Sequence, residues 1–273
     1  MIAATPPTDV GPSSPSSDHP PHEKPVNRRQ LLAIASLTVA TSIASDSRGA
    51  SARIKAIAFD GFPIFDPRPI FALAENLFPG HGAELSNVWR TKQFEYTWLR
   101  TMTGQYRDFL DIIDDALVFA CKSLDLELTG VKRSMLVESY LKMRTWPDVL
   151  PALSMLKESG LRLAFLSNFS SAMFNGNISG TELEGMFEFQ LSTDAVRAYK
   201  PDPRAYQMGV DALGLKREEI LFAAFAGWDA SGARLFGYPT FWVNRQKQPR
   251  EPLEAAPDGE GQGMADLVHF LSA

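Results

Sequence analysis

Cysteine is almost absent from this chain. There is one, Cys121, in 273 residues. An internal disulfide is therefore impossible, and a metal centre built on several thiolates is excluded with it. Cys121 follows the apolar run 116–120, which predicts a thiol buried in a core. Histidine is scarce as well. His19, His22, His81 and His269 form no H-x-x-x-H or related spacing, so no zinc motif is present. No bound metal and no cofactor are expected. Positive charge is not in excess: the net charge is -5. The basic stripe that a nucleic-acid surface needs is missing, and nucleic acid is not an expected partner. A long apolar run is missing too. Residues 33–44 carry no charge, but the stretch is too short and too rich in Ala, Ser and Thr for a membrane span.

What is present divides the chain. Residues 1–26 are rich in Pro, Ser and Thr, a composition unable to bury enough surface to order itself. Arg28-Arg29 then precedes the uncharged stretch, and Ala50-Ser51-Ala52 has the small-x-small pattern of a cleavage site. A paired arginine before a short apolar segment resembles a twin-arginine export signal. The expectation is a disordered leader over 1–52, cleaved near Ala52. The mature protein would be carried out already folded by the twin-arginine machinery, to the periplasm or beyond.

Past the leader, short apolar runs alternate with helical patterns. Residues 54–60, 161–166, 220–226 and 240–244 read as buried strands. Residues 149–159, 203–213 and 231–236 read as helices. Strand, helix, strand in succession predicts an α/β fold with a Rossmann-like parallel sheet. One interval breaks the alternation. Residues 70–146 contain no strand pattern and read as helices over 70–77, 84–102, 109–124 and 131–143. Asp66-Pro67-Arg68-Pro69 is a stiff exit from the first strand, and Trp146-Pro147-Asp148 reads as the return. The predicted organisation is a core of 53–69 and 147–273 with a helical cap inserted at 70–146.

In open α/β sheets, ligands collect beyond the carboxyl ends of the strands. Four polar features fall there: Asp60, Ser167-Asn168, Lys200 and Asp229. A lone Asp at a strand end is more often a structural cap than a catalyst. Four such positions together point to a site, in which Lys200 would keep Asp60 anionic, as a nucleophile requires.

These segments resemble the haloacid dehalogenase superfamily, and within it the type II L-2-haloacid dehalogenases. The resemblance rests on Phe59-Asp60, Leu166-Ser167-Asn168, Tyr199-Lys200-Pro201-Asp202-Pro203 and Trp228-Asp229. In the cap it rests on the run from Trp89-Arg90-Thr91 to Trp98-Leu99-Arg100. It implies hydrolysis of a small 2-haloacid with no metal. Asp60 would displace the halide and form an ester, and Arg90 would receive the departing anion. Ser167 and nearby backbone amides would hold the substrate carboxylate, with Asn168 beside them in the substrate site. Water activated near Asp229 and Lys200 would cleave the ester. Phe62, Phe94, Phe109 and Trp228 would wall the cleft, although any one of them alone is more often plain packing. The resemblance also implies a homodimer.

Two other readings compete. A magnesium-dependent phosphatase of the same superfamily needs a second Asp two residues after the nucleophile, where this chain has Phe62. It also needs a small hydroxyl residue soon after, and Pro63-Ile64-Phe65 supplies none. A catalytically weak protein that binds a small acid in the periplasm is the third reading. It is prompted by departures from the dehalogenase pattern. The loop after Asp60 is one residue short and lacks the usual tyrosine, glycine and threonine. Ala224 and Ala226 stand where a serine and an asparagine are usual.

Overall fold

The computed structural model describes residues 54–273. The leader, the Arg28-Arg29 pair and the cleavage site at Ala52 lie outside the described residues. Six parallel strands form the sheet: β1 (Ala56–Phe59), β4 (Arg162–Ser167), β5 (Phe189–Ser192), β6 (Ile220–Ala224), β7 (Thr240–Val243) and β8 (Gly259–Gly261). Their order is β5-β4-β1-β6-β7-β8. Strands β1, β6 and β7 are buried at every residue. Strands covered on both faces read as unbroken apolar runs for this reason, without alternation.

Alternate residues of each strand enter opposite cores. Ile57, Phe59, Phe165 and Leu221 join one cluster with helices α5 (Val149–Glu158), α6 (Ser171–Ile178) and α9 (Met264–Ser272). Ala58, Leu166 and Phe222 join the other, with α7 (Pro203–Leu213) and α8 (Gly227–Phe236). The chain leaves β1 for β4 on one side and later returns to β6 on the other. The crevice of the sheet therefore opens at the end of β1, directly before Asp60.

Between β1 and β4 lie four helices, α1 (Arg68–Leu77), α2 (Gly82–Thr103), α3 (Phe109–Ser123) and α4 (Gly130–Ser139). The side chains of Asp108 and Thr129 cap α3 and α4 by accepting from backbone N–H groups three residues on. Cys121 is buried, as expected. Three sequence expectations need correction. The interval 70–146 is not free of strand: β3 (Arg144–Thr145) pairs antiparallel with β2 (Phe65–Asp66). Two residues a side are too few to print a periodic pattern. Helix α4 ends at Ser139 rather than 143, because the chain must turn to reach that ribbon. Helix α8 begins at Gly227 rather than 231, which places Asp229 in its first turn, where a negative charge suits the helix dipole.

Candidate active site

Asp60 sits at the end of β1, and its two oxygens differ. Oδ1 accepts from Ser167 Oγ at 2.9 Å and from Lys200 Nζ at 2.8 Å. Among the described residues, Oδ2 accepts only from the Phe62 N–H, at 3.3 Å. Ser167, the last residue of β4, also accepts from the Gly61 N–H at 3.2 Å. The neighbouring strand thus holds both the nucleophile and the peptide after it. The Ser167 hydroxyl, expected to bind substrate carboxylate, donates to Asp60 in this structure. Asn168 has a similar role: its Oδ1 accepts from the Lys200 N–H at 3.0 Å, tying the lysine's backbone to the end of β4.

Lys200 is 1% exposed. Its ammonium has three donors and three acceptors: Asp60 Oδ1, Asp229 Oδ2 at 2.7 Å and the Leu166 carbonyl at 3.3 Å. Burial by itself would lower its pKa, but the two carboxylates outweigh that and raise it. Lys200 therefore remains charged. Two carboxylates share this one ammonium, which leaves a net negative charge in a buried cluster. The strain falls on Asp229, pushed up to about 6 by burial and by the charge of Asp60, against the pull of Lys200 and Tyr206.

Tyr206 was not singled out by sequence reasoning. Its hydroxyl donates to Asp229 Oδ1 at 2.7 Å, so both oxygens of Asp229 are held. A faint signal existed. Gly232 lies inside α8, where glycine is costly, and a Cβ there would come within 2.6 Å of the Tyr206 hydroxyl.

All ten residues singled out from the sequence line one cavity of about 560 Å³: Asp60, Lys200, Asp229, Arg90, Ser167, Asn168, Phe62, Phe94, Phe109 and Trp228. Arg90 reaches it from α2, on the same face as Asn87 and Phe94, at helical spacing. Its guanidinium lies 5.7 Å from the centre of the Phe71 ring and joins no ion pair among the described residues. Phe62 packs edge-on against Phe169 at 5.1 Å and tilted against Phe225 at 5.7 Å. Phe94 meets Trp228 edge-on at 5.2 Å. Phe169 and Phe225 were also missed, because nothing in their local sequence separates them from core residues.

The turn after Asp60 is pinned from behind. Trp146 Nε1 donates to the carbonyls of Phe62 and Phe65. The guanidiniums of Arg68 and Arg245 lie over its ring, at 4.4 and 4.5 Å from the centre. Arg245 also donates to the Pro63 carbonyl and pairs with Asp148. Lys200 is steadied from the cap. The Tyr199 N–H donates to Thr101 Oγ1 of α2, and the Tyr199 hydroxyl to the Arg107 carbonyl.

This arrangement has known counterparts. The family model for haloacid dehalogenase-like hydrolases matches residues 48–237. An (S)-2-haloacid dehalogenase of Pseudomonas sp. strain YL is 43% identical over 219 residues, 80% of this chain and 94% of that protein. Haloacetate dehalogenase H-2 of Moraxella sp. strain B is 38% identical over 221 residues, 81% of this chain and 99% of its own length. Among solved structures, an L-2-haloacid dehalogenase superimposes with a TM-score of 0.79 at 40% identity, covering 81% of this chain and 99% of the other. That of Xanthobacter autotrophicus with chloropropionic acid covalently bound gives 0.74 at 29% identity, with the same coverage.

Proposed function

The chain belongs to the haloacid dehalogenase-like hydrolases, and we propose that it hydrolyses 2-haloacids through an ester on Asp60, without a metal ion. One observation carries this reading: Asp60 lies 2.8 Å from a buried Lys200 ammonium and 2.9 Å from Ser167, at the wall of an aromatic cavity. With Oδ1 held by both partners, Oδ2 is the oxygen left for attack. Its lone pair forms a bond to C2 of the substrate, the carbon–halogen bond breaks, and halide leaves with the bonding electrons. Arg90, the cavity cation without a carboxylate partner among the described residues, receives it. Water then adds to the carbonyl carbon of the Asp60 ester. Asp229 takes the water's proton, for which a pKa of about 6 suits it. Lys200 steadies the negative oxygen that forms. The bond between the carbonyl carbon and Oδ2 breaks, the departing alkoxide takes back the proton from Asp229, and the 2-hydroxyacid leaves with C2 inverted. The ammonium already fills the space between the two carboxylates, which supports chemistry without a metal. Phe62, held between Phe169 and Phe225, offers no proton to a phosphate leaving group.

The expected result is halide release from (S)-2-chloropropionate that EDTA leaves unchanged. Asp60→Asn should reduce it roughly a thousandfold or more. After turnover in ¹⁸O-water, mass spectrometry should find the label in the Asp60 peptide. Label appearing only in the product would remove the ester. Magnesium-dependent release of phosphate from an aryl phosphate would favour the phosphatase reading. Arg28-Arg29 and Ala50-Ser51-Ala52 support export by the twin-arginine route. A Lys pair at 28 and 29 should then leave the protein uncleaved inside the cell, detected by fractionation and intact mass.

A further inference from the structure

Resting on the dehalogenase reading, we propose that the preferred substrates are 2-haloacids bearing an aryl or similarly bulky apolar group at C2. The cavity measures about 560 Å³. The six heavy atoms of 2-chloropropionate, at roughly the 30 Å³ that one water takes up, need about 180 Å³. About two thirds of the space would stay unfilled by a three-carbon acid.

The chemistry of the walls says what belongs there. The polar groups around Asp60 are already engaged: Ser167 with the nucleophile, Lys200 with two carboxylates, and Asp229 with Lys200 and Tyr206. Just past β6, Phe225 and Ala226 line the cavity and bring a phenyl and a methyl group to it, with no side-chain donor. Phe62 and Phe225 form one aromatic wall, and Phe94 and Trp228 the other. Polar side chains such as Asn87, Gln93, Gln246 and Gln248 also line the cavity, so the apolar substituent belongs against the four aromatic rings, where water finds few of the two to four polar partners it needs. A ring one methylene from C2 would displace that water and meet aromatic edges and faces at ordinary stacking distance. The acid and halide ends stay where the reaction needs them, and the substituent extends away from Asp60.

The test is a substrate series with the full-length protein: racemic 2-chloropropionate, 2-chlorohexanoate and 2-chloro-3-phenylpropionate, followed by halide release. Each buried methylene should raise kcat/KM roughly threefold to fourfold, so the hexanoate and the phenyl compound should exceed the propionate by at least tenfold. Competitive inhibition by the unreactive 3-phenylpropionate should be at least tenfold tighter than by propionate. If 2-chloropropionate turns over readily and kcat/KM falls as the substituent grows, the bulky-substrate assignment is overturned while the dehalogenase reading stands. If no member of the series releases halide, both fall.

Discussion

Asp229 is the residue whose charge state the site leaves most finely balanced. Its carboxyl is raised to about 6, chiefly by burial. In the base role proposed for it, Asp229 must be ionised, so kcat should fall as pH drops through about 6. Tyr206 opposes the rise by donating to Oδ1. Tyr206→Phe should therefore move the acid limb of the kcat–pH profile to higher pH. A limb that stays in place would remove Asp229 from the base role. The same shift acts on stability with the opposite sense. A carboxyl with a raised folded pKa favours the native state when protonated, so its stabilisation is full below the unfolded value of 3.8 and is lost as pH rises through about 6. Lys200→Met should cost about 3–5 kcal/mol in urea unfolding at neutral pH, because it strands two buried carboxylates. At this scale the sequence was legible where a side chain ends a strand or sits in a motif, as Asp60, Ser167, Lys200 and Asp229 do. Tyr206 was not legible, since its partner lies across two packed helices. The hydrogen bonds that Ser167 makes to Asp60 and Asn168 to the Lys200 N–H were not legible, because a sequence does not reveal which neighbour claims a polar group first.

At the level of elements, the cap and the lysine segment are joined. Thr101, in the last turn of α2, accepts from the peptide N–H next to Lys200. Thr101→Val should lower kcat about tenfold, as loss of a positioning contact does, and leave KM within about twofold. Thr101→Ser should restore kcat. An equal loss in both variants would indicate a packing role only. Close packing of α8 on α7 makes a second expectation. Gly232→Ala pushes a methyl against the Tyr206 hydroxyl and should destabilise by about 1–3 kcal/mol, read from the urea midpoint. Buried strands and amphipathic helices were legible because they carry long apolar signals. The ribbon β2–β3 was not, at two residues a side. Strand β8, Gly-Glu-Gly at the sheet edge, has no apolar side chain to announce it.

Across the whole molecule, one hydrophobic cluster runs without a break from Val149 and Phe165 of the core through Phe169 to Trp89, Ile112 and Ile113 of the cap. Cap and core should therefore melt together. Far-UV circular dichroism and tryptophan fluorescence are expected to trace one coincident thermal transition, and two separated transitions would show independent units. The four helices between β1 and β4 were legible, because the 77 residues of that interval carry no strand pattern. The sequence did not expose how tightly that interval is bound, because those contacts pair residues such as Tyr199 and Thr101, about a hundred positions apart.

The small ribbon that joins Phe65 to Thr145 and Asp66 to Arg144 has a consequence for descent. Departure and return of the excursion are clasped side by side, so the sheet's registration is indifferent to what the excursion contains. Helices there can be lengthened, trimmed or exchanged at little entropic cost while Asp60 and Lys200 keep their places. A lineage built this way can retailor what it admits without reinventing how it reacts.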